Sequence, residues 1–395
     1  MKTFDLNSIQ KAISSYKLDG WLFYDFHGND QISRSILNIS SDPVQYNRWF
    51  YYIPVKGIPV KILHSFDLSL LDHLPGRKEV YFGWREMEDK LKLCFQQNQK
   101  IAVQYSPKNA LPYISRLDAG TFELLKSFKI KLICSADLVQ LCEACLTKGQ
   151  VNTHINAAKI LYKISQNCTE FIKKQMQDHL EINECIVQNY ILEQLGKKGL
   201  IFDREPRVAA GQNTNNPHYM PTEKKTSPLY PGEILQIQIG AKLKEERSVY
   251  ADISWVYYLG DSAPEKLQQV FVVIAEARDS AVENIDYCIK KGKKLQGWKI
   301  DDDVSKFLTE AGYGRYILHS TGHSIGTDLY GNGANIDNLE TREDRELVHG
   351  ICFTIEPGLY FADYGMRTGI NVYIDNEGAH VYTQPVQQEV IPIIT

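Results

Sequence analysis

The sequence predicts a mixed α/β (α+β) protein built from two domains. Its 395 residues exceed what one ordinary hydrophobic core accommodates. Up to about residue 147, short β-rich runs alternate with helical segments, which is typical of a sheet flanked by helices. From residue 206 onward the pattern changes to long strands, loops rich in Gly and Asn, and amphipathic helices. We therefore expect domains at 1–148 and 149–395, with the boundary near "CLTKGQ".

The first domain combines helical segments at 8–17 and 86–97 with six short runs rich in β-branched and aromatic residues. Such runs favour strands because these side chains pack well on a pleated surface. The six runs are "GWLFYDF", "RWFYYIPV", "PVKILH", "EVYFGW", "KIAVQY" and "IKLICS".

The second domain begins with apolar residues at helical spacing over 151–177 and 181–197, and "GKKG" ends the second helix. A long amphipathic helix from "PEKLQQVFVV" onward and a shorter one at about 300–311 follow later. The expected strands are "ILQIQIGAKL", "SVYADISWVYYLG", "GICFTIEPGLYF", "GMRTGINVYI" and "AHVYT".

Composition excludes several classes of protein. A hydrophobic content of 43% with 23% charged residues is typical of a globular protein, and the net charge of −4 disfavours a nucleic-acid partner. No apolar run approaches the roughly 20 residues of a membrane span, so no membrane partner is expected. The first residues, "MKTFDLN", carry an acid and do not resemble a signal peptide, so we expect a cytoplasmic protein.

The eight cysteines have no paired spacing, and "CEAC" at 142–145 lacks a second pair or a nearby histidine. We expect them to be reduced core thiols. They are Cys94, Cys134, Cys142, Cys145, Cys168, Cys185, Cys288 and Cys352.

Two acids, Asp252 in "YADISW" and Glu356 in "CFTIEPGLY", lie inside apolar strand patterns. A buried lone carboxylate is costly, so each predicts either a structural pair or a bound cation. Histidines lie nearby: His218 follows the loop "NTNNP", and His319 and His323 occupy "HSTGHSIG". Each histidine alone is compatible with a surface residue or a Gly-rich turn. Two buried acids around a His-rich loop favour a functional site.

Several ordered motifs resemble the creatinase, prolidase, aminopeptidase P and methionine aminopeptidase superfamily. The resemblance implies a pita-bread catalytic-type domain after a creatinase-like N-terminal α/β domain, and it covers nearly the whole chain. In the first domain it rests on "RWFYYIPVKGIPVKILH" and "QYSPKNALPYISRLDAGTFELL". In the second it rests on "RVAAGQNTNNPHY", "ILQIQIGAK", "VYADISWVYYLG", "HSTGHSIGTDLYGNGANIDNLETRE", "CFTIEPGLYF" and "GMRTGINVY".

The peptidases of this superfamily hold two divalent metals with two aspartates, one histidine and two glutamates. The resemblance places these ligands, in order, at Gln238, Asp252, His323, Glu356 and Gly369. Two of the five positions therefore carry residues that are not anionic ligands. Divalent ions of this kind need anionic oxygens, so we expect no dinuclear centre. We expect either no cofactor or one divalent metal (Mn, Co or Zn) held weakly by Asp252, His323 and Glu356.

The resemblance also assigns His218 and His319 to the substrate cleft. Tyr330 stands where the superfamily usually has a substrate-contacting histidine. We expect His218, His319 and Glu356 as catalytic residues, and His218, His319, Tyr330 and Arg367 as substrate-binding residues.

Two functions follow as alternatives. The first is a hydrolase of a C–N bond in a small peptide or amidino compound, using one metal, or using none with His218 as general acid/base as in creatinase. The second is a non-catalytic homologue that binds a small ligand or short peptide in the cleft. The resemblance also implies a homodimer.

Overall fold

The computed structural model describes residues 4–40 and 46–393. The chain divides into two compact units, unit 1 (Met1–Glu143) and unit 2 (Ala144–Thr395). A boundary after residue 148 would fall inside the first turn of a helix that begins at Lys148. Thr147 caps this helix by accepting from the Gln150 backbone N–H, while the Gln150 side chain accepts from the Thr147 backbone. The division between the units therefore lies ahead of the capped helix.

Unit 1 contains a six-stranded sheet in the order β4-β3-β2-β1-β5-β6. Strands β1, β2 and β3 pair antiparallel, and the other three pairings are parallel. The strands are β1 Gly20–Asp25, β2 Trp49–Pro54, β3 Val60–His64, β4 Arg77–Tyr81, β5 Lys100–Val103 and β6 Lys131–Cys134. The helices are α1 Leu6–Ser15, α2 Gln31–Ile36, α3 Trp84–Lys92, α4 Ala119–Ser127 and α5 Ala136–Val139.

Both faces of this sheet are covered, which explains why its strands read as apolar runs rather than as alternating patterns. Along β1, Trp21 and Phe23 belong to one buried cluster, whereas Leu22 and Tyr24 belong to another. Successive side chains of a strand point to opposite faces, so β1 contributes to a core on each side.

Unit 2 contains a sheet in the order β17-β10-β9-β7 with β8 also paired to β9, a second sheet β11-β12-β15-β16, and the pair β13-β14. Its helices are α6 Lys148–Gln177, α7 Glu184–Lys197, α8 Glu265–Lys290 and α9 Gly297–Glu310. Its strands are β7 Leu200–Ile201, β8 Arg207–Ala210, β9 Ile234–Leu243, β10 Ala251–Leu259, β11 Ser324–Ile325, β12 Cys352–Ile355, β13 Gly358–Tyr360, β14 Gly365–Arg367, β15 Ile370–Asp375, β16 Gly378–Val381 and β17 Ile391–Ile393.

The helices of unit 2 cover its sheets with one apolar face each. One cluster joins α6 and α7 to β9 and β10, and another joins α8 and α9 to β12 and β15. Within residues 4–40 and 46–393, none of the helices combines the length and the apolar content that crossing a membrane requires.

Two stretches that the sequence predicts as single strands are each broken in the structure. The first is interrupted between β12 and β13 at Glu356 and Pro357, and the second between β14 and β15 at Thr368 and Gly369. Because β12 pairs with β15 and β13 pairs with β14, the two breaks lie opposite each other. Gly369 instead pairs with Ser254 of β10. Each break lets the chain leave one sheet for another, and three sheet regions meet there.

Candidate functional site

A cavity of about 360 Å³ lies in unit 2 beside these strand breaks. We call it the cleft. Its size falls within the range of pockets that hold small molecules. Polar and charged side chains form much of its wall. The lining residues are Arg204, Glu205, Arg207, Pro217, His218, Tyr219, Met220, Gln238, Gly240, Asp252, Leu329, Tyr330, Glu356 and Arg367.

Asp252 and Gln238 are brought together by the antiparallel pairing of β9 with β10. Gln238 Nε2 donates to Asp252 Oδ2 over 3.0 Å, whereas the buried Asp252 Oδ1 has no partner among the described residues. Asn371 fixes the backbone of Asp252, accepting from its N–H and donating to its C=O, both over 2.8 Å. Burial and the negative charge of Glu356 raise the pKa of Asp252 to about 7.

His323 faces both buried acids. Its Nε2 lies 3.4 Å from Glu356 Oε1 and 3.9 Å from Asp252 Oδ2. Its Nδ1 lies 3.0 Å from the Ser324 carbonyl oxygen, which can only accept, so Nδ1 carries the proton. Burial lowers the pKa of His323. The neutral ring therefore turns an unprotonated nitrogen toward the two acids.

Arg367 places a buried positive charge beside these groups. Its Nη2 donates to Gln238 Oε1, and its Nε lies 3.6 Å from Glu356 Oε2. Burial raises the pKa of Glu356, but the positive charge of Arg367 and the hydrogen bond from Thr354 outweigh that effect and the pKa is lowered. Burial likewise lowers the pKa of Arg367, but Tyr360 and Glu356 outweigh it and the pKa is raised. Arg367 is thus a permanent cation that links the amide of Gln238 to a buried carboxylate.

Gly369 lies at a close approach of two backbones. Its N–H donates to the Ser254 carbonyl over 3.0 Å. A Cβ at this position would lie 3.0 Å from Ser254 Cβ, 3.3 Å from Ser254 N and 3.4 Å from Glu356 Cβ. A side chain here would therefore require its neighbours to shift.

Tyr330 covers one side of the site. Its ring centroid lies 4.3 Å from that of His323. The Arg204 guanidinium lies 5.1 Å from the Tyr330 ring centroid, and its Nη1 donates to the Tyr330 hydroxyl over 3.0 Å. Half of Tyr330 remains exposed. Arg204 and His323 thus both contact the Tyr330 ring at the cleft.

His218 lies on the exposed loop that follows β8, and it lines the cleft. The buried carboxylate of Glu184 organises this loop, accepting from the backbone N–H groups of Ala210 over 2.7 Å and Ser227 over 2.8 Å. The hydroxyl of Tyr219, the residue after His218, donates to the same carboxylate over 2.5 Å. The His218 side chain is therefore carried by a fixed loop.

His319 is placed differently from His218 and is not one of the described residues that line the cleft. Both of its ring nitrogens have partners at 2.7 Å, Nδ1 with the Ser320 carbonyl and Nε2 with the Tyr360 hydroxyl. Burial lowers its pKa to about 4. The ring is therefore neutral, and Ser320 and Tyr360 engage both of its nitrogens.

Sequence reasoning missed Arg204 and Arg207 as cleft residues. Arg204 stands in a charged loop, where an arginine is usually a surface residue. Arg207 opens β8 and pairs in register with Gln238. Its position immediately before the apolar run "VAA" was the only signal, since arginine is rarely buried in a strand without a reason.

The residues present do not fit a dinuclear metal centre. Gln238 offers a neutral amide whose oxygen already accepts from Arg367, and Gly369 offers no ligand atom. Asp252, His323 and Glu356 lie near one another, but residues 4–40 and 46–393 contain no group of three or more His, Cys, Asp or Glu placed to hold a metal ion. A bridging pair of ions needs more anionic oxygens than Asp252 and Glu356 provide, and positions 238 and 369 add none.

Comparison with known proteins identifies the family. Residues 153–376 match the family model described as metallopeptidase family M24, which is more than half of the chain. The chain belongs to metallopeptidase family M24. A Xaa-Pro dipeptidase of Lactobacillus helveticus is 28% identical over 200 residues, which cover 50% of this chain and 50% of that protein. The chain thus matches only about half the length of such curated relatives.

Solved structures agree in fold over nearly the entire chain. A prolidase from Thermococcus sibiricus has a TM-score of 0.68 at 20% identity, covering 98% of each chain. Dipeptidase PepE from Mycobacterium ulcerans has a TM-score of 0.71 at 18% identity, covering 99% of this chain and 97% of that one. The predicted mixed α/β fold and the predicted superfamily are confirmed. M24 membership identifies the chain as a homologue of Xaa-Pro peptidases, a family of hydrolases that normally use divalent metals.

Proposed function

We propose that this M24 protein binds a small ligand, either a short peptide or an amidino compound, in a cleft that operates without a dinuclear metal centre. The observation that carries the proposal is the contact of Arg367 with both Gln238 and Glu356. The guanidinium supplies positive charge at the group of side chains that the superfamily resemblance assigns to the metals.

Electrostatics favour this assignment. Two like unit charges about 4 Å apart repel by roughly 4 kcal/mol at an effective dielectric constant of 20, and a divalent ion doubles the repulsion. A metal entering beside Arg367 meets this opposition. It would also meet fewer carboxylates than a dinuclear pair requires, because Gln238 and Gly369 supply none.

A ligand, in contrast, finds varied partners in the cleft. Arg204 and Tyr330 offer a stacking surface with a donor, and Asp252 offers an acceptor oxygen that has no protein partner. A small amphoteric molecule can satisfy both kinds of group, because pockets of this type fix orientation with a few convergent polar side chains.

A second candidate is metal-independent hydrolysis of a C–N bond. His218 favours it, since this exposed histidine lies on the cleft wall on a loop anchored by Glu184. In this scheme the imidazole of His218 accepts a proton from the attacking water and returns it to the leaving nitrogen. The carboxylate of Glu356 would hold a cationic part of the substrate.

Metal content tests the proposal directly. The protein is incubated with excess Mn, Co or Zn, dialysed, and examined by elemental analysis. We expect at most one equivalent per chain, and no metal-dependent turnover of Gly-Pro or of peptides with proline second. Two tightly held equivalents, together with metal-dependent turnover that survives repeated purification, would refute it.

The same preparation separates the two candidate functions. A panel of dipeptides and guanidino compounds is tested for binding by calorimetry and for hydrolysis by product analysis, with His218→Asn as the matched variant. Binding without turnover supports the non-catalytic homologue. Turnover that His218→Asn abolishes while binding persists supports the metal-independent hydrolase.

We also propose that the chain forms a homodimer in the cytoplasm, on the basis of its superfamily resemblance. Sedimentation equilibrium of the purified chain tests the assembly, and a monomer at all accessible concentrations would rule it out.

A further inference from the structure

Arg207 is a buried arginine whose hydrogen-bonding capacity is largely unused. Only 4% of the residue is exposed, and it lines the cleft from the start of β8. Its Nη2 donates to the carbonyl oxygens of Asn216 over 2.8 Å and Thr214 over 3.4 Å. Its Nε and Nη1 are buried with no hydrogen-bond partner among the described residues.

The charge of Arg207 is also unbalanced. None of the ion pairs formed within residues 4–40 and 46–393 includes it. Burial lowers its pKa to about 10, and the positive charge of Arg367 acts in the same direction. A buried cation without an anionic partner is costly, and a second guanidinium nearby adds to that cost. An anion bound in the cleft would offset both of these free-energy costs.

We propose that Arg207 binds the anionic end of the cleft's ligand through a carboxylate or phosphate oxygen. This rests on the proposed function only in that the cleft receives a small ligand. Hydrogen bonds from a guanidinium to an oxyanion are roughly twice as strong as those between neutral groups. Arg204 and Arg367 line the same cleft and add positive charge around the bound anion.

A purely structural role accounts for only part of this geometry. The two carbonyls held by Nη2 belong to the loop that leads to His218, so Arg207 does brace that loop. Bracing uses a single nitrogen, however, and leaves Nε and Nη1 without partners. Arg207 lines the cleft, so a ligand oxygen that reaches these buried nitrogens would satisfy donors that the protein leaves without partners.

Binding of simple anions tests the assignment. Metal-free protein at constant ionic strength is titrated with succinate, inorganic phosphate and the uncharged analogue succinamide, using calorimetry and the thermal midpoint as readouts. The variants are Arg207→Gln, Arg207→Lys and, as a control of equal charge change, Arg315→Gln at an exposed position of unit 2.

We expect succinate or phosphate to bind and to raise the thermal midpoint, while succinamide binds at least tenfold more weakly. Arg207→Gln should lose at least tenfold in anion affinity, Arg207→Lys should lose less, and Arg315→Gln should behave as the parent. A preference for succinate would identify a carboxylate ligand, and a preference for phosphate a phosphorylated one.

Three results would overturn the inference: a parent that binds neither anion, equal affinity for succinate and succinamide, or unchanged anion affinity in Arg207→Gln. Should Arg207→Gln fail to fold, the Arg207→Lys variant and the comparison with succinamide still decide. The anion titrations test the role of Arg207, whereas elemental analysis of the same samples tests the proposed function, so the two can fail separately. A protein that holds two metals can still bind anions through Arg207, and a metal-free protein can lack the anion site.

Discussion

Two buried strand aspartates, one in each unit, have very different surroundings. Asp25 at the end of β1 accepts from the Asp30 backbone N–H and from Arg34 Nη1, both over 3.0 Å. Asp252 in β10 accepts from Gln238 Nε2, and its second oxygen has no partner among the described residues. Asp25 uses its charge to hold a helix against a sheet. Asp252 keeps acceptor capacity for something that the chain does not provide.

The contrast lies in the cleft and not in unit 2 as a whole. Glu184, in the same unit, is fully buried and accepts hydrogen bonds from backbone and side-chain donors at both of its oxygens. Buried acids with a structural role in this protein are thus saturated with donors. Among the buried carboxylates of residues 4–40 and 46–393, the oxygen without a partner belongs to Asp252, which lines the cleft.

The largest expected effect on the free energy of unfolding is at Asp25, whose carboxylate is paired with Arg34. Asp25→Ala removes the carboxylate from a buried ion pair and leaves the Arg34 charge inside unit 1. Breaking such a pair costs about 3–5 kcal/mol of stability. Urea unfolding followed by fluorescence should show this loss, whereas a change below about 1 kcal/mol would show that the pair contributes little.

The next effect concerns a saturated group in unit 2, His154 on α6. It is buried against the Tyr250 carbonyl oxygen at 2.6 Å, with Cys352 Sγ at 3.9 Å and the Tyr382 ring nearby. Burial lowers its pKa from 6.5 to about 4. The unfolded chain therefore binds a proton that the folded chain rejects, so stability is full above about pH 6.5 and is lost as pH falls toward 4.

This loss should reach about 3 kcal/mol for His154 between those limits, and His319 contributes in the same direction. In His154→Gln, the dependence of the urea midpoint on pH should become shallower by about one proton. An unchanged slope would mean that the pKa of His154 is the same in the folded and the unfolded protein.

The third prediction concerns variants that add negative charge beside Asp252 in the cleft. Gln238→Asp combined with Gly369→Glu restores carboxylates at both positions that the resemblance assigns to metal ligands. Manganese at about 100 times its dissociation constant should then stabilise the double variant by roughly 2.7 kcal/mol, and the parent far less. Thermal unfolding with and without Mn, Co and Zn is the measurement.

Each single change should give less than half of that effect, because the ligands act together. Gly369→Ala is the matched control, since it introduces the Cβ that lies 3.0 Å from Ser254 Cβ without adding a carboxylate. If the double variant folds but none of the three metals raises its thermal midpoint, the assignment of these two positions is wrong.

The smallest effect is expected at Asp252. In Asp252→Asn, the amide oxygen can still accept from Gln238, and a buried negative charge beside Glu356 disappears. We expect stability to change by less than about 1 kcal/mol, in contrast to Asp25→Ala. A loss comparable to that of Asp25→Ala would remove the distinction between the two aspartates.

Much of the fold could be predicted because it depends on local pattern. The apolar periodicity over 151–177 and 181–197 predicts helices that the structure contains as α6 and α7, with ends that differ by a few residues. The ends depend on caps such as Thr147 and Asn183, whose side chains accept from backbone N–H groups. The pattern identified the elements, and cap geometry set their limits.

The cleft could be predicted only in part. Five residues that the sequence singles out line the cleft, and their roles there stay predictions: His218, Asp252, Glu356, Tyr330 and Arg367. Arg204 and Arg207 gave no comparable signal, because an arginine is recognised as a site residue only when its burial and its missing partners are known. The breaks at 356–357 and 368–369 also escaped prediction, since alternation along a strand does not reveal a change of sheet.

The sequence by itself determined the order of helices and strands, the superfamily, and the absence of carboxylates at 238 and 369. These are properties of residue type and spacing, which act over a few neighbours along the chain. Only the tertiary structure decided that Arg367 contacts Gln238 and Glu356 and that Gly369 lies against Ser254. It also decided that Arg207 lines the cleft while two of its nitrogens have no partner among the described residues. Those facts depend on contacts between strands far apart in sequence, which are fixed when the sheets pack together.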